Sequence, residues 1–388
     1  MFHRDPANIN MDLDGIERTD FNALGGVDMI IVHDLTGTDL TQVNNDLAGA
    51  LGGSAPDGVF DRVMVYGSPG ADVVSVAPNG TAVDVTGLHA TVHTSHADPT
   101  DVLWVDGGGG NDMLSATGAL AGLITLTLEG DAGDDIINGG NGADELLGGD
   151  GNDRIDGNQG NDTADLGAGD DTFVWDPGDG SDTVEGRAGL DRLQFNGAAA
   201  NETVEISANG GRVLFHRDPA NIDMDLDDVE RIDFNALGGV DNVHVGDLTG
   251  TDVTQVNNDL AGTLGGATPD GAIDSITMDG TAGADGAVIG GDSNGVSVVG
   301  FHASVGITHA DANDALLVRG LDGNDVIAAN GLAAGTLALT EDGGNNNDVL
   351  VGSPGTDALL GGDGDDALFG NGGGDTLDGG AGNNTIVP

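Results

Sequence analysis

The chain has no cysteine and no lysine, and aromatic residues make up only 3% of its 388 positions. Without cysteine there can be neither disulfides nor thiolate metal sites. All 10 basic residues are arginine, against 66 Asp and Glu, for a formal charge of −56. Nucleic acid is excluded as a partner on that balance, because its binding rests on Lys and Arg neutralising phosphates. Anionic membrane surfaces are excluded for the same reason. Self-repulsion on this scale opposes any compact state unless cations bind or screen the carboxylates. So few aromatics beside 71 glycines exclude a large globular core and favour the narrow, continuous core of a solenoid. No run approaches the ~20 apolar residues of a membrane helix. The start, Met1-Phe2-His3-Arg4-Asp5-Pro6, lacks the apolar stretch of a signal peptide. Neither a nucleophile elbow nor a His-Glu-x-x-His zinc helix is read in the chain, so no enzyme activity is expected.

What the chain does have is a nine-residue repeat. GDAGDDIIN (130–138), GGNGADELL (139–147), GGDGNDRID (148–156), GNQGNDTAD (157–165) and LGAGDDTFV (166–174) follow one another without a gap. After Trp175-Asp176 come PGDGSDTVE (177–185) and GRAGLDRLQ (186–194). Glycines at positions one, two and four permit positive φ and close backbone approach, so six residues can close a tight turn. Such a turn exposes carbonyl oxygens, and its sixth residue adds a carboxylate. That donor set suits calcium, a hard cation taking six to eight oxygen ligands. The last three residues run extended, and the eighth points inward because strand side chains alternate faces. Ile137, Leu146, Ile155, Ala164, Phe173, Val184 and Leu193 hold that position.

These residues resemble the RTX, or haemolysin-type, calcium-binding repeats of secreted bacterial proteins. The resemblance implies an all-β fold, an elongated parallel β-roll or β-solenoid, with two nonapeptides per coil. Turns on one side then lie eighteen residues apart, pairing Asp135 with Asp153 and Asp144 with Asp162. It implies multiple Ca2+ ions, each between successive turns of one side. The expected metal ligands are Asp112, Asp135, Asp144, Asp153, Asp162, Asp171 and Asp182, then Asp325, Asp348, Asp357, Asp366 and Asp375. It also implies a secreted or cell-surface location reached by type I secretion.

A longer repeat organises the whole chain. FHRDPANI begins at Phe2 and again at Phe215, an offset of 213 that holds without a gap to the end. Met1 aligns with Leu214 inside a continuing strand pattern, so the chain is expected to be a monomeric segment of a longer array. No separate secretion segment follows the last copy, GGAGNNTIV (379–387), which carries Asn384 in place of Asp and is expected to cap rather than bind. Before it stand GGNNNDVLV (343–351), GSPGTDALL (352–360), GGDGDDALF (361–369) and GNGGGDTLD (370–378). Isolated copies are GSPGADVVS (67–75), GGGGNDMLS (107–115) and GLDGNDVIA (320–328), with looser echoes at 23–31 and 280–288. Four segments follow: irregular β-solenoid at 1–106 and 195–319, calcium-binding tracts at 107–194 and 320–388. The structural alternative is a separate β-sandwich for the two irregular segments. Leu40 to Leu51 is the best helical stretch, and a short one.

One other constellation stands out, His93-Thr94-Ser95-His96-Ala97-Asp98, a candidate transition-metal cluster. Its second-unit counterpart has Gly306, His309 and Asp311, so one histidine is lost and ordinary hydrogen-bonded histidines are the expectation. The His3-Arg4-Asp5 and His216-Arg217-Asp218 runs are expected to form local ion pairs. The function expected is a calcium-induced folding module of a large exported protein. Alternatives are the extender region of a surface adhesin, with an unidentified ligand, and the non-catalytic tail of an exported hydrolase.

Overall fold

The computed structural model describes residues 2–4 and 9–388, with side chains from Met11 onward. Among them there is no helix; Leu40 to Leu51 contains the strand Gln42–Asp46 instead. The chain forms two compact units, Met1–Phe173 with Gly178–Asp182, and Val174–Pro177 with Thr183–Pro388.

In the first unit one parallel sheet runs Met29–Val32, Arg62–Tyr66, Val102–Asp106, Thr125–Ala132, Glu145–Asp150, Thr163–Ala168. Facing strands run Arg18–Asn22, Gln42–Asp46 and Thr91–Ser95 in parallel. An antiparallel detour through Ala82–Thr86 and Val73–Asn79 leads to Met113–Ala116, Ile136–Asn138 and Arg154–Asp156, again parallel. The second unit repeats this order at the offset of the sequence duplication. Asn242–Val245, Ser275–Asp279, Ala315–Arg319, Ala338–Asp342, Asp357–Leu360 and Thr376–Asp378 make one sheet. Arg231–Asn235, Gln255–Asp259 and Ser304–Thr308 open the other, with the same hairpin detour. The irregular segments are therefore coils of an all-β parallel solenoid, and not a β-sandwich.

Strict in-out alternation explains the core. Ile137, Leu146, Ile155, Ala164, Phe173, Val184 and Leu193, the eighth residues, are all fully buried. In the second unit Trp175 stacks on Phe195 at 4.0 Å, and Phe215 and Phe234 complete an aromatic core. Arg217 lies 5.3 Å over the Trp175 ring and forms an ion pair with buried Glu202. His216 pairs with Asp223 at 2.7 Å across an antiparallel register. Neither partner is Asp218: Asp223 stands directly across the antiparallel register from His216, and Glu202 lies just before the neighbouring strand, with Arg217 and Asp218 on opposite faces. The matching expectation for His3-Arg4-Asp5 lies outside the described residues.

A few inward positions are polar, Asn45 and Asn258 among them, and another carries an ionisable group. Glu341 occupies the place of Leu128, is fully buried, and neither carboxylate oxygen has a hydrogen-bond partner among the described residues. Burial, with the Asp357 charge next, pushes its pKa up to about 8. Its folded-state value lies above the unfolded one, so its stability contribution is present below the usual carboxylate range and lost as pH rises through about 8. Glu341→Leu is expected to stabilise the chain by about 2 kcal/mol at neutral pH. Melting temperature against pH checks this, and the gain should shrink toward pH ~4.5.

Candidate metal sites

Each nonapeptide folds as a six-residue turn followed by a short strand. In most copies positive φ falls at the second and fourth residues, as at Gly149 (111°) and Gly151 (145°), and not at the first; the copy at 352–360 has it at neither. The first glycine is required for space instead. A Cβ at Gly139 would lie 3.0 Å from Asp144 Oδ2 and 2.8 Å from the Gly157 carbonyl oxygen; at Gly352 the Asp357 and Gly370 oxygens would both lie at 2.9 Å. The fourth residue meets its neighbour one coil away: a Cβ at Gly151 would overlap the Gly133 carbonyl, and one at Gly169 the Gly151 carbonyl. Carbonyl oxygens thus stack in columns from turn to turn. Gly151→Ala is expected to destabilise by at least about 2 kcal/mol, combining overlap with strained φ. Gly210→Ala, in a hairpin turn with open space around it, should cost only about 1 kcal/mol. Thermal melts in calcium compare the two.

The sixth residues form ladders. The Asp112 N–H donates to Asp135 Oδ1 (2.7 Å), Asp135 to Asp153 (2.8 Å) and Asp153 to Asp171 (2.7 Å). On the other side Asp144 donates to Asp162 (2.8 Å) and Asp162 to Asp182 (2.9 Å). In the second unit the rungs are Asp325 to Asp348 (2.8 Å), Asp348 to Asp366 (2.9 Å) and Asp357 to Asp375 (3.1 Å). All twelve expected aspartates therefore lie in eight stacked pairs, and all but half-buried Asp375 are buried. The second oxygen is the unusual one. Oδ2 of Asp112, Asp135, Asp144, Asp153, Asp162, Asp325, Asp348 and Asp366 is buried with no hydrogen-bond partner among the described residues. A buried carboxylate in that state costs several kcal/mol unless a cation or proton compensates it. Burial accordingly pushes Asp162 up to about 8, Asp144 and Asp182 to about 7, and Asp112, Asp153 and Asp348 to about 6.

The last turn shows what these oxygens face. Asn384 takes the ladder hydrogen bond from Asp366 (2.8 Å) on its Oδ1. Its Nδ2 donates to the Gly379 carbonyl at 2.5 Å. Where the other turns place a carboxylate oxygen among carbonyls, this one places a donor. An aspartate there needs a cation to do the same work. The donors on offer are carboxylate and carbonyl oxygens alone, the chemistry of a hard divalent ion such as calcium.

The histidine candidates do not assemble. His93 bonds Asp84 (2.5 Å) and His96 bonds Asp46 (2.7 Å), each with its own carboxylate. One serine string escaped the sequence reading, Gly291-Asp292-Ser293-Asn294-Gly295. It is the exposed turn of an antiparallel hairpin, not a strand-to-helix elbow. Sequence reading also missed ladder carboxylates outside the repeats: Asp61, Asp101, Glu202, Asp241, Asp274 and Asp314. An acidic residue two positions before a buried apolar one, as in Asp61-Arg62-Val63, was the available signal. A surface trio, Asp227, Asp228 and Asp252, brings three carboxylates within 4.8 Å of one another.

Compared with known proteins, the chain matches the family model of the RTX calcium-binding nonapeptide repeat (4 copies) at residues 127–155, 139–173, 176–194, 342–377 and 351–386. No curated protein matches it.

Proposed function

From a chain that carries RTX calcium-binding nonapeptide repeats in both copies of its long internal duplication, we propose a calcium-driven folding module of an exported bacterial protein. RTX repeats imply calcium binding in the repeat region; the sites, stoichiometry and use are our reading. The observation that carries it is the set of buried Oδ2 atoms facing carbonyl oxygens, with Asn384 supplying a donor at the one turn that lacks the carboxylate. Asp112, Asp135, Asp144, Asp153, Asp162, Asp171 and Asp182 hold ions in the tract 107–194. Asp325, Asp348, Asp357, Asp366 and Asp375 do so in the tract 320–388. In a calcium-poor cytosol the acidic chain stays loose and exportable. Outside, where calcium modules work at ~10⁻⁴–10⁻³ M, the turns close and the coils stack. The role assigned is structural and non-catalytic.

A second reading, extender of a surface adhesin, is favoured by the strand-for-strand repetition of the 213-residue unit. Ion counting by mass spectrometry on the calcium-equilibrated chain tests the main reading. About eight ions are expected from the nonapeptide tracts, one for each stacked pair. Fewer than two would overturn it.

A further inference from the structure

The carboxylate ladder continues outside the two nonapeptide tracts. In the second unit the Glu202 N–H donates to Asp241 Oδ1 (2.8 Å), Asp241 to Asp274 (2.8 Å) and Asp274 to Asp314 (3.0 Å). The turns at 236–241, 269–274 and 309–314 begin with Ala, Pro and His. The first keeps Gly238 and Gly239 as the copy of the echo at 23–31, the other two lack the nonapeptide glycine pattern, and all three keep the sixth-position aspartate and the buried eighth residue, Val243, Ile276 and Leu316. Four buried acidic groups in a row then have one basic partner among the described residues, Arg217, which engages only Oε1 of Glu202.

Some of these carboxylates are satisfied. Asp314 accepts N–H groups on both oxygens, from Asp274 and Asp311, and Asp270 likewise from Gly239 and Ala272. Two oxygens are not. Glu202 Oε2 and Asp241 Oδ2 are buried with no hydrogen-bond partner among the described residues, on side chains 2% and 1% exposed. Around Gly197 the missing Cβ leaves a point approached by Glu202 Oε2, the Asn235 carbonyl (2.9 Å) and the Ala236 carbonyl (3.1 Å). The nonapeptides build the same convergence at Gly139, from one carboxylate and one carbonyl oxygen. Here the carbonyls come from a turn that is only a loose echo of the motif. Burial first, then the Asp274 and Glu202 charges, push Asp241 up to about 7.

We propose that the second unit holds a further divalent cation, calcium, between turns 197–202 and 236–241, on Glu202 Oε2 and the carbonyls of Asn235 and Ala236, beside the Asp241 carboxylate that accepts the Glu202 N–H and supplies the second negative charge. Hard oxygen donors of this kind suit calcium and offer nothing to a softer metal. The site would tie the hairpin-bearing coil to the one that follows it, outside both nonapeptide tracts.

Calcium counted by mass spectrometry on the full chain tests it, in the wild type, Asp241→Asn and Asp314→Asn. Asp241→Asn keeps the Oδ1 acceptor and should lose one ion per chain. Asp314→Asn, whose oxygens are already taken by N–H groups, should keep the full count. An unchanged count in Asp241→Asn, with a higher melting temperature in chelator, would show a protonated cap and overturn the proposal. If Asp241→Asn does not fold, a wild-type crystal grown in calcium decides by anomalous scattering at this point, where a peak supports the site and none removes it. The nonapeptide ions are read in the same wild-type count, so failure there is distinguishable from failure here.

Discussion

Stripped of metal at about pH 8, the nonapeptide tracts are expected to lose their β structure, and acidification to about pH 5 in the same chelator to restore it. The sign follows from the ladder carboxylates. Burial holds Asp162 at about 8, Asp144 and Asp182 at about 7, and Asp153 at about 6, all above an unfolded value near 3.8. Protons therefore bind the folded metal-free chain more tightly than the unfolded one. That contribution is fully present below about pH 4 and is lost as pH rises through about 6 to 8. A carboxyl whose proton affinity rises tenfold on folding contributes about 1.4 kcal/mol, so about seven such tenfold rises summed over the ladder match the ~10 kcal/mol stability of an ordinary domain. With calcium the sign reverses, because the ion must displace those protons. Calcium affinity should then fall steeply between about pH 7 and pH 5, as the carboxylates protonate. Circular dichroism against pH, with and without chelator, gives two curves of opposite slope. Parallel curves would show that the carboxylates do not carry the effect.

The second large effect is on stability at fixed pH. A site with calcium at tenfold its dissociation constant adds about 1.4 kcal/mol to the folded state. Eight stacked pairs, one ion each, would add on the order of 10 kcal/mol. That equals the whole stability of a typical domain, so metal decides whether the tracts fold. Melting temperature should climb with the logarithm of calcium, and go on climbing after every site is full, because the ion binds the folded state alone. Asp153→Asn should flatten that climb. It removes a ligand from two pairs, while the amide donates to carbonyls as Asn384 does. A calcium-independent melting temperature would show a solenoid held by its apolar core alone.

Much of this was legible in the sequence, and for a physical reason. The eighth-position residues had to be buried because a two-residue alternation follows a fixed-length turn, and Ile137 through Leu193 are buried accordingly. The eighteen-residue pairing of Asp135 with Asp153 follows from two equal turns per coil. The first glycine was misjudged: it makes room for the sixth-position carboxylate, a long-range requirement that local conformational freedom does not reveal. Asp241 was legible only as the copy of the loose echo at 23–31, and Asp274 was missed because its turn, opened by Pro269, does not carry the nonapeptide glycine pattern. Only stacking exposes their kinship. Glu341 could not have been singled out either. Its anomaly exists only once it is seen pointing inward at the position of Leu128.

The most direct test of metal-driven closure is a calcium titration of the full chain followed by far-UV circular dichroism, with magnesium as control. Magnesium demands near-ideal octahedral geometry and keeps its waters, so it should not substitute in turns built from carbonyls. The account predicts a cooperative gain of β signal with calcium and none with magnesium. A β spectrum that is already complete in chelator at neutral pH would contradict it.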